Sequence, residues 1–269
     1  MKFIKEFLIF IKHIYANKRV LITLAKNDFE KAYLGSYLGS FWAFLRPLLF
    51  VFVIWFVFSV GFRTPSISSE VPFVLWLLTG IVPWFFISET LSSGTNSVVS
   101  NKYLLKKISF RASTLPLVKI FSNLIVHFIF ILILIILFAF SEKGLSIYLL
   151  QMPYYLFISI AFLLGVTWLT SSLRVFIKDI TQLISVFLQL SFWLTPIFWS
   201  IKLIPEKYRF VIEMNPFYYI VDGYRDIFIN HIWFWEKSST LFYLSITIVF
   251  LILGARIFQK LRPHFMDVL

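Results

Sequence analysis

The chain has 269 residues, 59% of them hydrophobic and 14% charged, with a formal net charge of +12. Soluble domains carry roughly 45–50% apolar and about 25% charged residues, so a soluble globular enzyme is all but excluded, and a polar disordered chain is excluded with it. The absence of cysteine removes disulfides, thiol catalysis and Cys-ligated metal.

A membrane protein remains, and its elements can be taken in chain order. Residues 1–17 hold an apolar run, Phe7–Ile11, that is too short for a signal peptide and is ended by Lys12 and His13. At roughly 100° per residue, Lys2, Lys5, Glu6, Lys12 and His13 share one face, and Phe3, Ile4, Phe7, Leu8, Phe10, Ile11, Ile14 and Tyr15 the other. This predicts an amphipathic helix lying in the inner interface. A plain membrane anchor and a docking element for a partner both fit it. Gly35 and Gly39, with Ser36 and Ser40, have the small-x-x-x-small spacing that lets helices approach closely, and they equally suit a flexible join.

A hydrocarbon core of ~30 Å takes roughly 20 mostly apolar residues as helix. Six stretches qualify: Phe41–Phe62, Pro72–Asn96, Pro116–Phe140, Tyr148–Leu173, Ile180–Ile201 and Thr240–Phe258. No run of short alternating segments suggests a barrel. The prediction is an all-α integral membrane protein with six transmembrane helices, forming one domain over residues 1–269. Its parts are a cytoplasmic interfacial region (1–34), five spans (35–201), an external segment (202–239) and the last span with its tail (240–269). The external segment has five basic and five acidic residues interleaved with Phe210, Val211, Ile212, Phe217, Tyr218, Tyr219 and Ile220. It is too charged for a span and too apolar for a free loop. Short re-entrant or interfacial helices, broken at Asn215–Pro216, fit it best.

Lys and Arg accumulate on the cytoplasmic side of membrane proteins. Arg63, Lys143, Lys202, Lys207, Arg209, Arg225 and Lys237 lie on one side, and the other 18 of the 25 lie on the side of both termini. Both termini are therefore expected in the cytoplasm. The basic charge reflects these loops and does not call for nucleic acid.

Chemistry of its own is scarce. The chain lacks a G-x-x-x-x-G-K-[ST] loop, an H-E-x-x-H helix and a G-x-S-x-G elbow. Its four histidines, His13, His127, His231 and His264, have no metal-ligand spacing. Glu89 is the intramembrane carboxylate, near the cytoplasmic end of its span, where it reaches either the interface or a polar neighbour. His127 reads as a packing residue without a visible partner. No internal repeat supports an inverted-repeat carrier. Such a chain is a membrane pathway whose energy comes from a partner.

Three groups of residues resemble a known family. The first is Lys26-Asn27-Asp28-Phe29-Glu30-Lys31-Ala32-Tyr33, Gly35-Ser36-Tyr37-Leu38-Gly39-Ser40-Phe41-Trp42 and Leu45-Arg46-Pro47. The second is Gly80-Ile81-Val82-Pro83-Trp84-Phe85-Phe86, then Gly94, Asn101, Leu104, Lys106, Lys107, Phe110, Arg111, Leu115 and Pro116. The third is Thr195-Pro196-Ile197, Ile204-Pro205-Glu206-Lys207 and Asn215-Pro216-Phe217. In order, over nearly the whole chain, they resemble the permease subunits of ATP-binding-cassette polysaccharide exporters of the O-antigen and teichoic-acid class. There are departures. Phe110 and Arg111 are adjacent where the family often has an intervening proline. Lys178-Asp179 stands where Arg-Asp is common, and Lys keeps the charge but loses the planar fork.

The resemblance implies a multi-pass protein of the bacterial cytoplasmic membrane. It implies a homodimer bound to two cytoplasmic P-loop ATPase subunits, without a catalytic site, metal or cofactor of its own. The cargo it implies is a glycan on a polyprenyl-diphosphate lipid. It also implies ATPase contact by the N-terminal helix and the loop near 101–113. Lys102, Lys106, Lys107, Arg111, Lys178 and Asp179 are the candidate coupling residues, although basic loops also set topology and bind anionic lipid. Asn215, Pro216, Phe217 and Tyr218 are a candidate external gate. A permease for a drug or lipid is the alternative. An enzyme acting on lipid-linked sugars is a third class, and the absence of a recognisable catalytic constellation weighs against it.

A glycan needs a wide path, which a two-fold interface between subunits provides more simply than a close-packed bundle. Tyr37, Phe41, Phe44, Leu48, Phe52, Trp55 and Ser59 share one face of the first span, and aromatic rings let sugar C–H faces slide. The same stripe could face lipid or pack. Gln182, Ser185, Gln189 and Trp193 share a face of the fifth span, and amides facing lipid are costly. Pore lining and helix packing both satisfy them.

Overall fold

The computed structural model describes residues 9–10, 12–61, 71–105 and 111–269. Helix α1 (Lys18–Lys31) leads into a turn, then α2 (Trp42–Trp55) continues as a π turn over Phe56–Gly61. Helix α3 (Phe73–Thr95) is followed by two short helical turns, Ser97–Ser100 and Lys102–Leu105. Then come α4 (Leu115–Ala139), α5 (Met152–Phe176) and α6 (Ile180–Leu194). Helices α7 (Glu206–Glu213), α8 (Pro216–Arg225) and α9 (Thr240–Leu261) complete the chain. Among the described residues there is no strand.

Among the described residues, five helical stretches are long and apolar enough to cross a membrane: Gly39–Gly61, Phe73–Thr95, Ala112–Ala139, Ile147–Phe176 and Thr240–Val268. The expected fifth span, Ile180–Ile201, is different. Its helix ends at Leu194 after 15 residues, which is about 22 Å of rise against the ~30 Å hydrocarbon core. The cause is Pro196. A residue before proline is driven out of the helical region, and Thr195 is extended at φ −90°, ψ 128°.

Helix α3 is the centre of the bundle, buried along almost its whole length, while α2 buries Ala43 and Val51 and leaves half of its residues exposed. Lipid tails are as apolar as Leu, so close packing and interhelical hydrogen bonds hold such a bundle together. Both are present. Asn123 of α4 donates to Thr90 and Ser93 of α3, and Thr95 of α3 donates to Thr170 of α5. Helices α5 and α9 run parallel, with Phe162 against Phe250 and Phe176 against Phe265. They cross at two glycines, where a Cβ on Gly254 would come 2.0 Å from the Gly165 carbonyl oxygen.

The expected break at Asn215–Pro216 is present. Asn215 caps α8 by accepting from the Phe217 N–H and donates through Nδ2 to Thr195, with Pro216 in the first turn. Of the two short helices α7 and α8, α7 is the exposed one. Helix α8 is inserted into the bundle: Phe217 meets Trp84 and Phe162, and Tyr219 stacks on Tyr243. Gly223 lies under the Tyr155 ring, where a Cβ would approach to 2.0 Å. Gly35 and Gly39 adopt left-handed φ of 84° and 51° with nothing within 4 Å. They lie in the join between α1 and α2.

Candidate translocation path and coupling rim

One end of the bundle gathers the α3–α4 connection and the α5–α6 elbow. Arg174 of α5 donates at 2.5 Å to Thr181 of α6, which donates at 2.9 Å to Asn96 beyond α3. The elbow carrying the exposed Lys178 and Asp179 is thereby tied to the segment carrying the exposed Lys102 and the half-buried Arg111. Lys106 and Lys107, expected in the same coupling group, lie outside the described residues. Arg111 also faces the N-terminal helix: burial, and then the Arg111 charge, hold the His13 imidazole below its usual value. Phe10 of that helix is buried edge-on against Trp168 of α5, 5.2 Å between centroids. Residues 1–8 and 11 of the expected amphipathic helix lie outside the described residues.

The aromatic stripe divides. Tyr37, Phe41 and Phe52 are exposed. Phe44 is half-buried and meets Phe130 of α4, so it serves packing. Trp55 is half-buried and lies 5.9 Å from Phe52 along its own helix. On α6, Ile184, Leu188 and Ser191 turn inward, while Gln182, Ser185, Gln189 and Trp193 are exposed. Two faces of the bundle, on α2 and α6, thus leave Phe41, Phe52, Gln182, Ser185, Gln189 and Trp193 exposed.

Sequence reasoning missed the partners of the buried polar groups. His127 Nε2 lies 2.7 Å from the Tyr224 hydroxyl of α8, and its ring stacks on Phe86 at 4.5 Å. The i,i+3 and i,i+4 spacings gave no sign of this, because α8 arrives from 97 residues away. Arg225, 5% exposed, sits 3.8 Å over the Trp76 ring and donates to the Ile197 carbonyl. Gly80 makes room for it, since a Cβ there would come 3.1 Å from the guanidinium.

Beside it, Lys237 pairs with Asp222 at 2.5 Å and also with Asp226, which accepts a further bond from Asn230. Burial, then the Asp222 charge, push the Asp226 carboxyl up to about 6, against the pull of Lys237 and Asn230. Asn215 and Phe217 of the expected external gate are caught in the α8 N-terminus. Tyr218 is half-buried on the same helix, with its phenol pushed up by burial and then by Asp222.

A cavity of about 370 Å³ opens among α1, α2, α3 and α4. Asp28 of α1 and Lys119 of α4 close one side as an ion pair of 2.5 Å. Tyr33, Arg46 and Glu89 line it together. Burial, then the Glu89 carboxylate, push the Tyr33 phenol up, and Arg46 opposes them, so the three share one electrostatic neighbourhood. Among the described residues no three His, Asp or Glu side chains gather to hold a metal.

The chain is 28% identical to the O-antigen export system permease protein RfbA of Klebsiella pneumoniae, over 93% of this chain and 95% of that protein. It is 24% identical to the protein of the same name from Myxococcus xanthus, over 96% of this chain and 98% of that one. Residues 19–229, from α1 to the turn after α8, match the ABC-2 type transporter family. A bundle of apolar spans, an inserted α8 and a polar rim without any nucleotide loop are thus the parts of a multi-pass permease, and the chain belongs to the ABC-2 type transporter family.

Proposed function

We propose that this chain is the transmembrane subunit of an ATP-driven exporter that moves a lipid-linked polysaccharide across the bacterial cytoplasmic membrane. The observation that carries this reading is similarity to O-antigen export permeases from end to end, not over one motif. The physical features agree with it. Without a P-loop the chain hydrolyses no ATP, so the motor is a separate cytoplasmic subunit, with two copies for two permeases. Its docking surface is the rim where the Arg174–Thr181–Asn96 bonds tie the α5–α6 elbow to the α3–α4 connection. With both termini cytoplasmic, α6 enters from that rim and, with the extended residues after it, makes the fifth of six crossings, and α7 and α8 lie at the outer side as re-entrant or interfacial helices.

The path runs between two copies, along the exposed aromatic side chains of α2 and the amide face of α6. Unpaired amides in hydrocarbon cost several kcal/mol, so Gln182 and Gln189 face water or protein. A permease with another cargo would share all of this, and only the cargo assay separates them. The test is co-purification with an ATPase subunit, followed by detection of the glycan on each membrane face in a deletion strain. Glycan should accumulate on the inner face and return to the outer face on complementation. Normal surface glycan in the deletion strain would refute the proposal.

A further inference from the structure

The cavity between α1, α2, α3 and α4 has more charge than its packing needs. Asp28 and Lys119 satisfy each other at 2.5 Å. Arg46 and Glu89 do not: among the described residues neither has an ion-pair partner within 4.0 Å, although both line the same space of about 370 Å³. An unpaired cation and an unpaired anion lie five residues inside α2 and six residues before the end of α3. Both side chains are exposed at the rim of the cavity, and charges that close to a span persist where a partner, a water-filled space or a ligand compensates them. Away from the charged mouth the wall becomes aromatic, with Phe50 and Phe85 edge-on at 5.7 Å and Phe130 beyond. The volume falls in the range of ligand pockets, roughly 300–1,000 Å³. That is room for a headgroup and the start of its chains, with the rest left to the bilayer.

We propose that this cavity is a resident-lipid site for a phospholipid of the ethanolamine class, with the phosphate on Arg46, the ammonium on Glu89 and the chain roots along Phe50 and Phe85. Charge balance selects that class. Among the described residues, the mouth offers one cation and one anion without an ion-pair partner. A phosphoethanolamine headgroup carries one of each, and its ammonium keeps N–H donors for a carboxylate. A choline headgroup has the charge without the donors. A glycerol headgroup leaves Glu89 unpaired, and a polyprenyl diphosphate brings at least two negative charges against Glu89. The site is independent of the exported cargo, so its failure and the failure of the export assay are separate results.

The test uses the purified permease with its ATPase subunit. Native mass spectrometry follows retention of ethanolamine, choline and glycerol phospholipids with identical chains. Charge-assisted hydrogen bonds give the ethanolamine lipid about a tenfold advantage over the other two. In Glu89→Gln the advantage over choline should fall to about one, with the complex still assembled. In Arg46→Gln retention of all three lipids should drop. If Arg46→Gln fails to assemble, the Glu89→Gln selectivity ratio decides alone. Equal retention of the three lipids by the unaltered complex overturns the proposal, as does retention of none, or displacement of every phospholipid by a lipid-linked diphosphate.

Discussion

Asp226 is 1% exposed, yet it sits four residues from a second carboxylate, Asp222, with Lys237 between them. Removing one partner from such a buried cluster costs about 3–5 kcal/mol, because the charge left behind has no water. Lys237→Gln should therefore lower the thermal unfolding temperature of the solubilised protein sharply, whereas Lys207→Gln, at an exposed site on α7, should not. The same cluster carries a pH signature. Folded Asp226 takes up its proton near pH 6, and an unfolded carboxyl near pH 4. Between those values the folded state binds more protons, so the stability contributed by this group rises as pH falls through the window. Melting at pH 5 and pH 7 should show a gain at the lower pH that Asp226→Asn lacks. The i,i+4 carboxylates are readable in the sequence. The lysine is not, since it comes from beyond a non-helical segment, and no spacing rule spans such a turn.

Elements rest on fewer residues than their length suggests. The α5–α9 crossing depends on two glycines, since a side chain on Gly254 would strike the Gly165 backbone, which cannot move aside as a flexible side chain can. Gly254→Leu should abolish the folded protein in membrane fractions, while Gly61→Ala, with nothing within 4 Å, should leave its yield unchanged. The α5–α6 elbow depends on one hydroxyl. Thr181→Val removes both the acceptor of Arg174 and the donor to Asn96. The expected result is an assembled complex whose ATP hydrolysis continues while export falls, and export at the normal rate would show that the tie carries no coupling. Helix existence was legible from apolar runs, because a span must satisfy its backbone internally. The end of α6 was legible too, in Pro196, but composition outweighed it: Ile197, Phe198 and Trp199 are as apolar as a span and are used instead to pack against the bundle. The insertion of α8 was less legible. Its charges argued for the surface, and only the Trp76 ring, the Ile197 carbonyl and Lys237 explain how Arg225, Asp222 and Asp226 are tolerated inside.

At the scale of the whole molecule, α2 and α6 leave faces exposed that either lipid or a second copy covers. Sequence patterning placed Phe41, Phe44, Phe52 and Trp55 on one helical face, but it could not separate Phe44, which meets α4, from Phe41 and Phe52, which are exposed. Burial depends on neighbours that a single helix does not encode. If the path runs between copies, Phe41→Leu with Phe52→Leu should slow export without loss of assembly, since apolar bulk stays and the rings go. The α6 face gives the more direct measurement. The chain has no cysteine, so Ser185→Cys and Gln189→Cys introduce single thiols one turn apart on that face. Where two copies meet, the thiols should form a disulfide-linked dimer under mild oxidation. Where the face lines a path, a membrane-impermeant maleimide should label them, and ATP turnover should change the labelling rate. Reaction with lipid-soluble reagents alone, without dimer and without aqueous labelling, would place the amides against hydrocarbon and remove the basis for a path at this interface.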